Sequence, residues 1–262
     1  MILVFVKDSV GESLSAYCFG RVLAARFGYH FEFPQLRGLV RDWGVKGERF
    51  IGSAVVWEGH WPMESRSGRV ISKKEQWTKP DSRLCLAGGH HRFELLAEER
   101  ERVRGEWLVP VQGEVKQVRG AFAICLPTAA VLRQDEKPPV GGSLCEEEIR
   151  RLVGTVKHSE LVLITDRADH PLLEALGDLS WRLEICRGWQ QMLLVRSFEK
   201  VAISQDATQW WGAFLGDARE IYYPKLETGH WSHPEPAHLA HEPLWHGIDL
   251  RVLGDGRYVY DW

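Results

Sequence analysis

Short apolar runs that end in a polar loop and give way to a stretch of helical spacing recur along this chain, and that alternation confines it to few folds. MILVFV at the N-terminus, Ala121 to Leu126, LVLITD up to Asp166 and VAIS up to Ser204 each read as a buried parallel strand, because they are apolar throughout rather than alternating. Between them, helices are expected over about Leu14 to Phe27, through CEEEIRRLVGTVKH, from about Pro171 to Leu176, from about Trp189 to Phe198 and through WWGAFLG. Ser143 and Glu146 have the spacing of a capping box for the second of these. Strands joined through helices form parallel sheets with functional loops at their carboxyl edges. The closing GIDLRVLGDGRYVYDW differs, since two apolar runs flank Gly254, Asp255 and Gly256, and it predicts an appended β-hairpin.

A chain of 262 residues has apolar material for two such lobes. The boundary is expected in WLVPVQGEVKQVRG, where Pro, Gly and polar residues separate two strands. This gives an α/β protein of two Rossmann-like lobes, residues 1–115 and 116–262. Hydrophobic residues at 44%, charged residues at 26% and a net charge of −3 are ordinary for a soluble protein and give no general attraction to nucleic acid or anionic lipid. No apolar run approaches the roughly 20 residues of a membrane span, and MILVFVKD is too short and too soon charged for a signal peptide, so a cytoplasmic location is expected. Cys18, Cys85, Cys125, Cys145 and Cys186 are scattered, form no CxxC pair and read as reduced thiols. The 12 Trp residues are the compositional outlier, suited to sugar-stacking surfaces or to large core side chains.

Candidate chemistry gathers at the ends of strands. The loop after VAIS opens a Trp-Trp helix, and a helix N-terminus there collects unpaired N–H groups and a positive dipole end, a natural seat for a diphosphate. Asp206 and Ala207 occupy that loop where hydroxyls would suit a phosphate better. Asp166, ending LVLITD, is placed to bind a donor sugar or act as general base, or else to cap the next helix. His90 and His91 follow a strand and a Gly-Gly turn in the first lobe, as candidate bases for an acceptor hydroxyl or as structural histidines. Gly11 and Ser13 lie in the expected first loop, where they are candidates for close approach to an acceptor. His230, His233, His238, His241 and His246 make two HxxH pairs, but Pro234, Pro236 and Pro243 interrupt any helix and the Glu of HExxH is missing, so a connector is favoured over a metal site.

In order along the chain, these segments resemble the bacterial α-1,2-fucosyltransferases of glycosyltransferase family 11 and their wider superfamily. GESLSAYCFGRVLAARFGY resembles the opening glycine-rich loop and helix, LCLAGGHHRFELLAEERERVRGEW the acceptor-side strand and helix, and LVLITDRADHPLLEAL the strand with an acidic end. SQDATQWWGAFLGDAREIYYP followed by GHW is similar to the Ser-rich loop, Trp-Trp helix and closing strand. The resemblance implies a GT-B arrangement with the donor on the C-terminal lobe, a nucleotide-sugar substrate, metal-independent transfer and no other cofactor. It makes Ser204, Gln205, Asp206 and Thr208 candidate donor-binding residues. The family's donor-binding His-x-Arg-Arg-Gly-Asp motif is absent; Cys125, Pro127, Thr128, Ala129 and Ala130 stand in its place. Arginines there would give diphosphate oxygens charge-assisted hydrogen bonds of roughly 1.5–3 kcal/mol each, and Arg133 or Arg167 would have to substitute.

Two functions of different class follow. One is a glycosyltransferase acting on a nucleotide sugar and a glycan or small hydroxylated acceptor. The other is a glycosyltransferase-fold protein that has lost its reaction and serves as a binding or scaffold partner, for instance of a biosynthetic enzyme, or that has been repurposed for different chemistry with a metal or a non-nucleotide substrate.

Overall fold

The computed structural model describes residues 2–5, 10–27, 31–32, 55–58, 84–87, 99–107, 116–127, 144–204, 206–226, 245–252 and 258–260. Two compact units divide the chain, the first Met1–Gly113 and the second Glu114–Trp231 with Glu235–Trp262.

In the first unit, β1 (Ile2–Phe5), β2 (Phe31–Glu32), β3 (Val55–Glu58) and β4 (Leu84–Ala87) form a parallel sheet in the order β2-β1-β4-β3. Helix α1 (Val10–Phe27) follows β1 and buries Leu14, Tyr17, Cys18, Phe19 and Val22. It starts a full turn earlier than its apolar spacing predicts. Gly11 and Ser13 are therefore helical residues and not loop residues, and both are buried. The Ser15 hydroxyl donates to the Gly11 carbonyl at 3.0 Å, so a polar side chain that reads as loop-forming is satisfied inside the helix. α2 (Arg100–Arg102) runs into a π-helical turn over Val103–Trp107 that directs Val103 and Trp107 inward. Arg21 donates to the Tyr17 hydroxyl and lies 5.0 Å from the Trp107 ring centroid, a cation–π contact.

The second unit is built on seven strands: β5 (Val118–Cys125), β6 (Glu160–Thr165), β7 (Arg182–Ile185), β8 (Phe198–Ala202), β9 (Glu220–Leu226), β10 (Trp245–Val252) and β11 (Tyr258–Tyr260). Their order is β11-β10-β9-β8-β5-β6-β7, and every pair is parallel except β10 with β11, where Leu250 opposes Tyr260 and Val252 opposes Tyr258. The α/β architecture with parallel sheets is the one that the alternating runs predict. Helices α3 (Glu146–Thr155), α4 (Pro171–Ala175), α5 (Gly188–Arg196) and α6 (Ala207–Leu215) connect the strands. The N-cap of α3 is Cys145, with no side-chain cap bond, so the helix begins beyond the Ser143 cap position.

The order of connection positions the site. From β5 the chain steps through α3 and α4 to β6 and β7 on one side, then returns through α5 to β8 and through α6 to β9 on the other. Right-handed crossovers then put α3 and α4 on one face of the sheet and α5 and α6 on the opposite face. The first face packs Phe122, Ile124, Leu126, Leu161 and Leu163 against Ile149, Leu152 and Leu176. On the second, α5 and α6 approach so closely that a Cβ added at Gly212 would lie 2.7 Å from Val195 Cβ and 2.9 Å from the Met192 carbonyl oxygen. Gly120, at a φ of 77°, carries the irregular register between β5 and β8 and accepts from the Ser159 N–H at 2.8 Å.

Candidate functional site

The connections reverse direction between β5 and β8, and in an open α/β sheet that switch point leaves a crevice beyond the carboxyl ends of the two strands. Leu126 and Pro127 leave β5 there, Ile203 and Ser204 leave β8, and the first turn of α6 begins beside them.

That helix N-terminus is filled from within. Asp206 is the N-cap of α6, and one carboxylate oxygen accepts from the N–H groups of Thr208 at 2.8 Å and Gln209 at 3.1 Å. A carboxylate in this place satisfies two of the four orphan donors and complements the helix dipole. The loop expected to seat a diphosphate thus holds its own anion. Gln209, fully buried, completes the closure. Its Oε1 accepts from both the N–H and the hydroxyl of Ser204, each at 2.8 Å, while its Nε2 donates to the Leu126 carbonyl at 3.2 Å. One side chain therefore ties the exits of β8 and β5 together through α6. Ser204 and Thr208 are buried, and the Ser204 hydroxyl is spent on this brace.

At the exit of β6, Asp166 is half-buried and Arg167 lies beside it. The Arg167 guanidinium makes a bidentate pair with Asp169 at 2.6 and 2.5 Å, which holds the Asp169 carboxyl down at about 2. As placed, the guanidinium is engaged with Asp169, in a pair open to solvent. His170 is buried and caps α4: its Nδ1 accepts from the Leu172 N–H at 3.2 Å, which leaves the proton on Nε2 to be donated to the Pro127 carbonyl at 3.0 Å. Burial lowers its pKa from the ordinary value, and the neutral ring pins the exit of β5 to α4.

Beyond β7, Arg187 is the N-cap of α5 but makes no side-chain cap bond. Its Nε donates to the Asp166 carbonyl at 2.7 Å, which brings the start of α5 to the exit of β6. Gly188 takes a φ of 53° in this first turn, where a side chain would be strained. Gln191 follows, 2% exposed.

Burial pushes the Cys125 thiol well above its ordinary value, with Cys186 and Asp206 adding repulsion, and raises Cys145 and Cys186 to about 11. Among the described residues no group of three or more His, Cys, Asp or Glu side chains could hold a metal ion, and no helix is long and apolar enough to cross a membrane. His246 on β10 stacks on Tyr222 at 5.0 Å between ring centroids. The other four tail histidines lie outside the described residues, as do His90, His91, Arg133 and Gln205.

The structure thus brings Asp166, Arg167, Ser204, Asp206 and Thr208 to the carboxyl edge of one sheet, whereas Gly11 and Ser13 belong to the other unit. Sequence reasoning passed over Gln209, His170 and Arg187. Gln209 had a signal: Asp206 and Gln209 have capping-box spacing, an N-cap acid followed three residues later by Gln. His170 stands directly before Pro171, the usual place of an N-cap before a first-turn proline. Arg187 had none.

No protein-family model matches the chain, and no curated protein matches it. The resemblance to fucosyltransferases accordingly rests on the motifs quoted above. Among solved structures, the chain is similar to the E. coli heptosyltransferase WaaC with ADP-2-deoxy-2-fluoro heptose, with 13% identity and a TM-score of 0.48, over 97% of this chain and 94% of that one. A likeness of that degree bears on neither the site nor the reaction.

Proposed function

We propose that this chain is a divergent glycosyltransferase that takes a nucleotide-sugar donor and a glycan or small hydroxylated acceptor, in the manner of the fucosyltransferase-like enzymes its motifs resemble. The supporting observation is the placement of that resemblance: the strand, loop and Trp-Trp helix stand at the switch point between β5 and β8, where doubly wound sheets hold nucleotides. Asp166, at the adjacent exit of β6, is the candidate to bind the donor sugar or serve as base, with His90 or His91 as the alternative base on the acceptor side. No metal or other cofactor enters this reading, and a partner enzyme in a biosynthetic pathway is compatible with it.

A second reading, a binding or scaffold protein that performs no transfer, is favoured by one observation. Asp206 and Gln209 occupy the N–H groups and the crevice that a donor diphosphate would use. Calorimetric titration of the whole protein with GDP, GDP-fucose, UDP-sugars and dTDP-sugars, with and without divalent metal, combined with an assay for released sugar, separates the two. Saturable binding of one nucleotide with turnover, lost in Asp166→Ala, is the result expected of a transferase. Binding without turnover supports the scaffold, and a lack of nucleotide binding sinks the transferase.

A further inference from the structure

We infer that the first turn of α5, with Arg187 and Gln191, is an anion site that takes a phosphate or diphosphate group. The reasoning starts from Gln191. Its side chain is 2% exposed, and its Nε2 has no hydrogen-bond partner among the described residues. Buried amide donors are rarely left without an acceptor, because the lost hydration is not recovered. Side chains on a helix lean toward its N-terminus, so the Gln191 amide, at the fourth helical position, leans toward the first turn and the N-cap residue Arg187.

Three groups converge there. The Gln190 N–H turns back to the Arg187 carbonyl at 3.2 Å, which leaves the Gly188 and Trp189 N–H groups at the start of a nine-residue helix with no side-chain cap. Gly188 leaves the backbone open to close approach. The Arg187 guanidinium is oriented by its Nε bond to the Asp166 carbonyl, and its terminal nitrogens have no partner among the described residues. α6 is closed by Asp206 and α4 by His170, and the first turn of α3, though it has no side-chain cap, carries three glutamates, so among the described helices of this unit α5 is the one whose opening turn pairs an arginine with a buried unmet donor. Asp166 at the exit of β6 and Glu184 on β7 are the acidic residues of the adjoining strand ends, and Arg187 is the cation beside them in the chain.

Only the identity of the ligand, the diphosphate of a nucleotide sugar, rests on the transferase reading. The test is calorimetric titration of the full chain with inorganic pyrophosphate and, in parallel, with nucleoside diphosphates. Arg187→Met and Gln191→Glu should each weaken pyrophosphate at least about tenfold, the loss expected for one charge-assisted contact. Gln191→Met, which keeps the volume and removes the donor, should also weaken it, and Arg219→Gln, at the opposite edge of the sheet, should leave it unchanged. Thermal melts check that each variant is folded. Failure of the native protein to bind pyrophosphate, or equal affinity in Arg187→Met and both Gln191 variants, overturns the site. Pyrophosphate binding without nucleotide-sugar turnover keeps the site and sinks the transferase. Nucleotide turnover indifferent to Arg187 and Gln191 does the reverse.

Discussion

Gln209→Met tests whether the crevice at the switch point is closed by a structural brace. Met matches Gln closely in length and volume, so the substitution removes hydrogen bonds while leaving packing nearly intact. It strands the Ser204 N–H, the Ser204 hydroxyl and the Leu126 carbonyl, all tied to Gln209 in a fully buried setting. The hydroxyl can turn to another acceptor, but the two backbone groups are fixed by the ends of β8 and β5. At about 1–3 kcal/mol for each stranded buried group, partly offset by the gain from a more apolar side chain, the second unit should lose about 2–5 kcal/mol. That corresponds to roughly 5–15 °C in the melting temperature of a unit this size. Urea unfolding followed by far-UV circular dichroism gives the stability, and amide exchange at Ser204 reports the site itself. Ser204→Ala alone should cost only about 0.5–1.5 kcal/mol, one hydrogen bond. A loss below about 1 kcal/mol in Gln209→Met, with Ser204 exchange unchanged, would refute the brace and reopen the crevice to a ligand.

Gly212→Ala should destabilise by about 1–3 kcal/mol despite its better helix propensity, since its Cβ meets Val195 and the Met192 carbonyl within 2.9 Å; Gly154→Ala, with nothing within 4 Å, should stabilise by about 0.5–1 kcal/mol, and paired thermal melts compare the two. The His170 pKa is depressed, so its contribution is complete above the ordinary histidine value of 6.5 and is lost as pH falls through the folded-state value. Asp166 and Asp169 favour the proton and Arg167 opposes it; unfolding free energy should therefore fall below about pH 6.5, and this slope should vanish in His170→Asn, which keeps a cap. Glu148, buried on α3, runs the other way: burial raises its carboxyl to about 7 from 4.5, so its contribution is complete below 4.5 and lost as pH rises through about 7. Glu148→Gln should be the more stable protein at pH 8 and show no advantage at pH 4, as pH-dependent denaturation would measure.

What was legible in the sequence is what local pattern dictates. The apolar runs of β5, β6 and β8 carry no competing polar alternation, and the strands appear within a few residues of where those runs lie. α1 was misread at its start because Gly11, Ser13 and Ser15 have loop propensities, which burial and the Ser15 bond to the Gly11 carbonyl override. Capping was misread for a related reason. Ser143 and Glu146 have the right spacing, but Cys145 is the N-cap and Glu146 the first residue of α3, which leaves Ser143 two positions upstream of the cap, while Asp206 and Gln209 have the same spacing at a true helix start. Spacing alone does not say which pair the tertiary structure will use. Arg187 was invisible because its role depends on β6 and β7 being neighbours, a fact of sheet order that no local window contains.

Asp206 shows why fold was easier to read than function. A strand followed by a short loop and a helix obliges the chain to do something with the unpaired N–H groups at the helix start. Two solutions are physically equivalent for folding: an anionic ligand from outside or a carboxylate from within. The Trp-Trp helix itself is fixed by burial of Trp211, Phe214 and Leu215 and would form with either. Asp206→Asn keeps an acceptor for the Thr208 and Gln209 N–H groups while removing the charge that repels an incoming phosphate. The same seat is then electrostatically open, yet structurally capped. The native carboxylate thus commits the dipole of α6 to stability.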